Sequence, residues 1–135
     1  MVLLSNASDV SGQQEPIYNN DEQPTAATST PETPVIEVVD TSSSEYIIQR
    51  ILEIFPEAPI MVEVARCESG LDPTADRADL GVDVGLFQIN QVHLPALKRM
   101  DLDRRDMEDN LTYARMLYDE SGLGPWYMSR DCWSK

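Results

Sequence analysis

The first third of this chain lacks the residues from which a folded core is built. Residues 1–45 contain no Lys, Arg, Trp or Phe, and they hold eight acidic residues and four of the nine prolines. Such a segment cannot bury enough apolar surface to offset the loss of chain entropy on folding. We therefore expect a disordered acidic tail or linker over residues 1–44, rich in Pro, Ser and Thr, and one folded domain over 45–135. The apolar run 35–39 could form a strand, but we expect it to stay loose.

The folded part is acidic as well. Residues 46–135 carry ten basic and sixteen acidic side chains, so −6 of the formal net charge of −14 belongs to them. Nucleic-acid phosphates need a basic face, so no nucleic-acid partner is expected, and the same charge argues against anionic membranes. No apolar run is long enough to span a membrane, and Val2–Leu4 is too short for the core of a signal peptide. We expect a monomer without membrane insertion. Either its signal peptide has been removed, or it is exported by another route.

Helical spacing of apolar residues dominates the folded part. Ser42–Ser44 offers N-caps for a first helix, whose apolar residues continue to Phe55 before Pro56 ends it. Pro59 suits the first turn of a second helix and Gly70 suits its C-cap. Further helical segments are predicted over 85–91, over 93–100, after Asp106 and after Pro125. Because no clear strand pair is visible, the expected fold class is mainly α.

The second helix carries a carboxylic acid on its apolar face. Met61, Val64, Ala65 and Glu68 fall at positions i, i+3, i+4 and i+7, which is one stripe of a helix. The C-terminal end of a helix is an unfavourable place for a negative charge, because the helix dipole is negative there. Apolar neighbours act in the same direction, so both effects favour the protonated acid. A protonated carboxylic acid in a cleft can cleave glycosidic bonds, which makes Glu68 the candidate catalytic residue.

The motifs around and after this glutamate resemble those of a known family. Glu68-Ser69 is followed by Asp83-Val84-Gly85-Leu86-Phe87-Gln88-Ile89-Asn90, then by His93-Leu94-Pro95 and Asn110. This order resembles the lytic transglycosylase (SLT-type) family of the lysozyme-like superfamily, nearest to small specialised transglycosylases associated with secretion systems. The resemblance covers about residues 46–135. It implies a small lysozyme-like α domain in an extracytoplasmic compartment. It also implies cleavage of the β-1,4 bond between N-acetylmuramic acid and N-acetylglucosamine in peptidoglycan, leaving a 1,6-anhydromuramic end.

The resemblance also assigns roles to single residues. Glu68 would act first as the acid and then as the base, and neither a metal nor an organic cofactor is implied. Ser69 would support the Glu68 carboxylate, and Gly85 would let the backbone approach the sugar closely. Amide side chains in the second motif would face the acetamide and hydroxyl groups of the sugar. The other motif residues expected to bind substrate are Asp83, Leu86, Phe87, Gln88 and Asn90. Trp126 and Tyr127 are expected to line the cleft for a different reason, because sugar clefts use aromatic faces against pyranose rings; the alternative is that they belong to the core.

One part of the family pattern is missing from this sequence. Transglycosylases of this type usually carry a Tyr-Asn pair on a late helix, with the tyrosine near the catalytic acid. Tyr113 and Tyr127 are the only candidates for that tyrosine, and neither has the expected context. The rear of the predicted site therefore has no assigned residue.

The chain has two cysteines, Cys67 and Cys132. Both flank segments that we expect to meet in space, which favours a disulfide formed in an oxidising compartment. In the chain-entropy model, closing a loop of this length contributes roughly 4 kcal/mol to stability. The alternative is two buried and reduced cysteines.

Other functions and sites stay open. A hydrolytic lysozyme (muramidase) would use Asp79 or Asp83 to position water, and the missing Tyr-Asn pair leaves room for a weakly active peptidoglycan-binding or assembly module. A chitin-like substrate needs the same sugar pocket. The four spaced aspartates in 72–83 lack the order of an EF-hand, so no metal site is expected. His93 has no catalytic or metal-binding partner pattern, and the mixed charge run 101–109 is expected to be a solvated surface.

Overall fold

A computed structural model describes residues 31–77 and 79–135, and over these residues the fold is mainly α, which confirms the predicted fold class. The strands are β1 (Asp83–Val84) and β2 (Ile89–Asn90). Short 3₁₀ helices cover Gln91–His93 and Gly124–Ser129. The α-helices of the described residues are α1 (Ser44–Ile54), α2 (Met61–Ser69), α3 (Leu94–Arg99), α4 (Met107–Ser121) and α5 (Arg130–Trp133).

The segment before α1 has no regular secondary structure where the structure describes it. Residues 31–40 are exposed and form neither helix nor strand, including the apolar run 35–39. The tail predicted over 1–44 falls mostly on residues 1–30, which lie outside the described residues. Residues 37–135 form one compact unit that contains every helix and strand given above.

The first two helices begin and end at the residues that their sequence signals indicate. Ser43 is the N-cap of α1, and its hydroxyl accepts a hydrogen bond from the backbone N–H of Tyr46 at 3.2 Å. Gly70 is the C-cap of α2 in the left-handed region, with φ of 71°, which a residue without a Cβ adopts easily. The buried face of α2 consists of Met61, Val64 and Ala65. Glu68 therefore lies at the inner end of an apolar stripe.

Residues 83–90 form a hairpin, so the prediction of a helix over 85–91 is wrong. β1 and β2 pair antiparallel, with Asp83 opposite Asn90 and Val84 opposite Ile89. Two backbone conformations inside this segment exclude a right-handed helix, because φ is 78° at Gly85 and 48° at Gln88. The expectation that the domain has no clear strand pair is wrong as well, because β1 and β2 pair.

Two buried polar side chains from the α4 region hold the hairpin. Arg104 is only 6% exposed, and its guanidinium donates to the carbonyl oxygens of Val82 at 2.8 Å, Ile89 at 2.6 Å, and also Gly81. Burial lowers the pKa of the Arg104 guanidinium. The prediction that this charge run is solvated is therefore wrong for Arg104, because hairpin carbonyl groups take the place of water.

Asn110 is the second of these side chains, and it is fully buried. Its Oδ1 accepts from the backbone N–H of Phe87 at 2.9 Å. Its Nδ2 donates to the carbonyl oxygens of Val84 at 3.1 Å and Arg104 at 2.7 Å. A two-stranded hairpin of this length is marginal alone, so these contacts fix its position relative to α4.

A core of aromatic and aliphatic side chains joins the helices to the hairpin. The rings of Phe55 and Phe87 have centroids 5.8 Å apart, and those of Phe87 and Trp126 are 5.6 Å apart. Phe87 thereby anchors the hairpin turn between α1 and the C-terminal segment. None of the helices in the described part of the chain is both long and apolar enough to cross a membrane. The core also includes Ile47, Ile51, Met61, Val64, Ala65, Leu86, Ile89, Leu97, Leu111 and Ala114.

Candidate active site

A cleft of about 580 Å³ lies where the C-terminal end of α2, the hairpin and the segment 125–132 meet. Eight residues singled out from the sequence line it: Cys67, Glu68, Asp83, Phe87, Gln88, Asn90, Trp126 and Cys132. The two sequence motifs, which are separated by a loop, therefore form walls of one cleft. The singled-out residues that do not line it are Ser69, Asp79, Gly85, Leu86 and Tyr127.

The carboxylate of Glu68 is partly exposed in this cleft and is held through one of its oxygens. Ser129 donates its hydroxyl hydrogen to Glu68 Oε1 at an O···O distance of 2.5 Å. Trp133 Nε1–H lies 3.1 Å from Ser129 Oγ and 3.1 Å from the carbonyl oxygen of Trp126. Among the described residues, only Ser129 hydrogen-bonds this carboxylate. Glu68 Oε2 is therefore left for a ligand in the cleft.

Ser69, which follows Glu68, makes a different contact from the one the family resemblance implies. Its hydroxyl donates to the carbonyl oxygen of Ala65 at 3.0 Å, one turn back along α2. Such a bond satisfies a helix-end carbonyl group and directs the hydroxyl away from the carboxylate. In this structure the contact with Glu68 comes from Ser129 instead.

Asp83 and Asn90 form a pair across the hairpin. Asn90 Nδ2 donates to Asp83 Oδ1 at 2.7 Å, and Asn90 Oδ1 accepts from the backbone N–H of Val92 at 2.9 Å. The second bond makes Asn90 the N-cap of the 3₁₀ helix Gln91–His93. Both side chains line the cleft in a fixed orientation, as a carboxylate and an amide side by side.

Gln88 is held from the inside of the hairpin turn. Its Nε2 donates to the carbonyl oxygens of Gly85 at 2.9 Å and Ala75 at 3.2 Å. These two acceptors fix which end of the amide is the nitrogen. The side chain is 8% exposed, and its Oε1 has no hydrogen-bond partner among the described residues. A buried acceptor without a donor destabilises the fold, so such acceptors are unusual outside functional sites.

The other residues of the second motif lie inside the protein rather than in the cleft. Leu86 is fully buried in the core, and Phe87 contributes both to the core and to the cleft wall. At Gly85, a Cβ atom would collide with Asn110 and would lie 2.6 Å from the carbonyl oxygen of Arg104. The close approach that this glycine permits is therefore to Asn110, on the side of the hairpin that faces α4.

The two aromatic candidates of the C-terminal segment differ. Trp126 is 4% exposed and lines the cleft, and its Nε1–H donates to the carbonyl oxygen of Phe87 at 3.1 Å. Tyr127 is 62% exposed and lies outside the cleft, with the guanidinium of Arg130 above its ring at 5.9 Å. Asp79 is exposed and outside the cleft as well.

The predicted disulfide is confirmed. Cys67 and Cys132 are bonded, with Cα atoms 6.0 Å apart and a separation of 65 positions in sequence. The bond joins α2 to α5, and both cysteines line the cleft. For a loop of this length the chain-entropy model gives a stabilisation of about 4 kcal/mol.

Several cleft residues were not identified from the sequence. Arg77 donates from Nη2 to the carbonyl oxygen of Cys67 at 2.5 Å and is exposed. His93 Nδ1 lies 3.0 Å from the hydroxyl oxygen of Tyr113, whose pKa is raised by burial. Met128 is almost fully exposed at the rim, and Ser129 contacts Glu68. Sequence carries no signal for Ser129, because it lies 61 positions from the glutamate it contacts.

The described residues contain no group of three or more His, Cys, Asp or Glu side chains placed to hold a metal ion. No protein-family model matches the chain, and no curated protein or solved structure matches it either. The resemblance to transglycosylases therefore depends on the motif residues and on the places they occupy in the cleft.

Proposed function

We propose that this protein is a lytic transglycosylase that cuts the glycan strands of peptidoglycan, with Glu68 as the general acid and base. The observation that carries the proposal is the Glu68 carboxylate in the cleft, anchored through Oε1 while Oε2 has no partner among the described residues. Amide and indole side chains line the same cleft, as a site for acetylated sugars requires. A carboxylic acid in such a position is the group that glycoside cleavage needs.

The proposed reaction uses the two protonation states of Glu68 in turn. Protonated Oε2 gives its hydrogen to the glycosidic oxygen, and the bond from that oxygen to C1 of N-acetylmuramic acid breaks. The C6 hydroxyl of the same sugar then attacks C1, and Glu68 accepts the hydroxyl hydrogen. The ring closes as a 1,6-anhydro sugar without consuming water, and the enzyme returns to its starting state. This chemistry needs one carboxylate, because the substrate supplies the nucleophile.

One cation in the cleft gives an anionic glycan a partner that a neutral glycan would not use, although Glu68 and Asp83 line the cleft as well. Arg77 is exposed in it and makes no ion pair among the described residues, although the domain is acidic. Peptidoglycan carries carboxylates on its lactyl and peptide groups, whereas chitin carries none. A disulfide at the cleft fits an oxidising, extracytoplasmic compartment, which is where this substrate occurs.

A hydrolytic muramidase is the second candidate, and one observation favours it. Asp83 lines the cleft, so its carboxylate could hold a water for attack on C1. Asp79 is outside the cleft, which leaves Asp83 as the residue for this role. The hydrogen bond from Asn90 occupies one oxygen of Asp83 and leaves the other for water.

Mass spectrometry of digested peptidoglycan tests the proposal. Wild-type protein should release fragments ending in 1,6-anhydromuramic acid, and Glu68→Gln should release none while keeping the wild-type circular dichroism spectrum. Glu63→Gln is the matched control, because Glu63 lies on the same helix and is half-exposed outside the cleft. Fragments one water heavier would establish the hydrolase. Equal release by Glu68→Gln would remove Glu68 from the mechanism.

A further inference from the structure

The contacts of Ser129 connect the candidate acid to the C-terminal segment. Its Oγ lies 2.5 Å from Glu68 Oε1, 3.0 Å from the carbonyl oxygen of Trp126 and 3.1 Å from Trp133 Nε1. The indole N–H can only donate, and it is shared between Oγ and the carbonyl oxygen of Trp126, each 3.1 Å away. Oγ accepts from it, so the hydroxyl hydrogen is left for Glu68 Oε1 or for the Trp126 carbonyl oxygen. We propose that Ser129 is the positioning residue for Glu68, oriented by Trp133 and kept in place by the Cys67–Cys132 disulfide. This inference rests on the proposed function.

Ser129 can hold Glu68 in both of its protonation states, because the contact is to Oε1 while the reacting hydrogen is on Oε2. When the carboxylate is ionised, the hydroxyl hydrogen points to Oε1 and stabilises the charge. When Glu68 is protonated on Oε2, Oε1 is the carbonyl oxygen of the carboxylic acid and still accepts from the hydroxyl of Ser129. An acid that becomes a base within one reaction needs such a lasting contact, because its carboxyl group must stay in place while its charge changes. Ser129 thus fills the rear of the site, where the tyrosine of the family pattern is missing.

The disulfide bears directly on this contact because of where its cysteines lie. Cys67 is the residue before Glu68, and Cys132 lies between Ser129 and Trp133 in sequence. The covalent bond therefore ties the two short segments that carry the donor and the acceptor. Reduction by dithiothreitol breaks the S–S bond, converts both cysteines to thiols and oxidises the reagent to its cyclic disulfide. The contact between Ser129 and Glu68 then depends on packing alone.

Steady-state kinetics on soluble peptidoglycan glycan chains tests the positioning role. Ser129→Ala should lower kcat about 10- to 100-fold, the range expected for losing a hydrogen bond to a charged group, with KM changed less than about twofold. Ser129→Thr keeps the hydroxyl and should restore most of kcat. Ser134→Ala is the control, because Ser134 is an exposed serine outside the cleft. A kcat within about twofold of wild type for Ser129→Ala would overturn the role.

A second measurement is independent of turnover. In a double-mutant cycle of Ser129→Ala and Glu68→Leu, the losses in midpoint denaturant concentration should be non-additive, because each variant alone removes the one hydrogen bond that the two side chains share. Additive losses would overturn the proposal even if the enzyme is active. If wild-type protein cleaves no glycan, the proposed function fails, and the cycle still decides whether Ser129 holds Glu68.

The same cycle tests the contribution of the disulfide. It is repeated with dithiothreitol at a temperature where the wild-type circular dichroism spectrum is retained. The non-additivity should shrink by at least about half, because the donor and acceptor segments are no longer tied. Unchanged non-additivity in the reduced protein would refute the part assigned to the disulfide.

Discussion

Replacing Gly85 by alanine should destabilise the domain far more than replacing Gly70. Both glycines have left-handed backbones, with φ of 78° at Gly85 and 71° at Gly70. A Cβ at Gly70 would meet nothing within 4 Å, whereas a Cβ at Gly85 would collide with the amide of Asn110. The pair therefore separates backbone strain, which the two variants share, from steric conflict, which only Gly85→Ala introduces.

The expected magnitudes follow from the contacts that each variant keeps. Gly70→Ala costs about 1 kcal/mol for the left-handed conformation, partly offset by the stiffer unfolded chain. Gly85→Ala carries the same strain and also displaces Asn110, which makes three buried hydrogen bonds. At about 1 kcal/mol per bond, the total for Gly85→Ala reaches about 4 kcal/mol. For a domain of this size that lowers Tm by about 20 °C, against about 5 °C for Gly70→Ala.

Thermal unfolding followed by circular dichroism measures both values. A third variant, Asn110→Ala, removes the clash with the amide but leaves the Cβ 2.6 Å from the carbonyl oxygen of Arg104. Gly85→Ala in that background should cost less than in the wild-type protein, because no amide is displaced, but more than Gly70→Ala, because the contact with the Arg104 carbonyl oxygen remains. Similar losses for the two single glycine variants would refute the argument that close packing against Asn110 selects glycine at position 85.

Three further predictions concern other parts of the domain. Arg104→Met removes the hydrogen bonds to the hairpin carbonyl groups and should lower the free energy of unfolding by about 3 kcal/mol in urea titration. A variant as stable as the wild-type protein would contradict this prediction. Asp83→Asn should keep anhydro product formation within about tenfold of wild type, whereas a muramidase would lose its reducing-end products. Hydrogen bonds from Gln49 and then Arg50 lower the pKa of Glu53 below its usual 4.5. Because the pKa of Glu53 is lower in the folded than in the unfolded protein, the ionised carboxylate stabilises the fold above pH 4.5, and this stabilisation is lost as the pH falls further. Glu53→Gln should therefore flatten the decline of Tm in acid, and an unchanged decline would contradict the prediction.

The helices could be read from the sequence because their signals are local. Ser43 and Asp106 cap α1 and α4 through side chains within three residues of the N–H groups they accept from. Gly70 ends α2 as its lack of a Cβ predicts. The mainly α fold and the Cys67–Cys132 bond followed from such signals and from expected proximity.

The hairpin could not be read in this way because distant residues determine its shape. Its strands have two residues each, too few to show alternation of apolar and polar positions. The side chains of Arg104 and Asn110 supply the hydrogen bonds that a longer ladder would otherwise make. In the sequence Arg104 belongs to a charged run typical of a solvated surface, and its burial depends on backbone carbonyls about 20 positions away.

The candidate site was predictable more completely on one side of the cleft than on the other. The motifs indicate Glu68 and the hairpin residues, and the structure brings Glu68, Asp83, Gln88 and Asn90 into one cleft. The opposite segment contributes Trp126 and Cys132, which the sequence analysis also singled out, but no recognisable motif marks its Met128 or Ser129. Contacts across 61 positions depend on how α5 lies against α2, and no local pattern encodes that packing.

The dependence of the hairpin on Arg104 and Asn110 has a consequence for how this protein can vary. Substitutions at these two positions would shift a wall of the cleft although neither residue lines it. In a saturation-mutagenesis library selected for altered glycan preference, enriched variants should therefore include positions 104–110 as well as those lining the cleft. A design that changes only the residues lining the cleft would not use the shift of the hairpin that substitutions at Arg104 and Asn110 can produce.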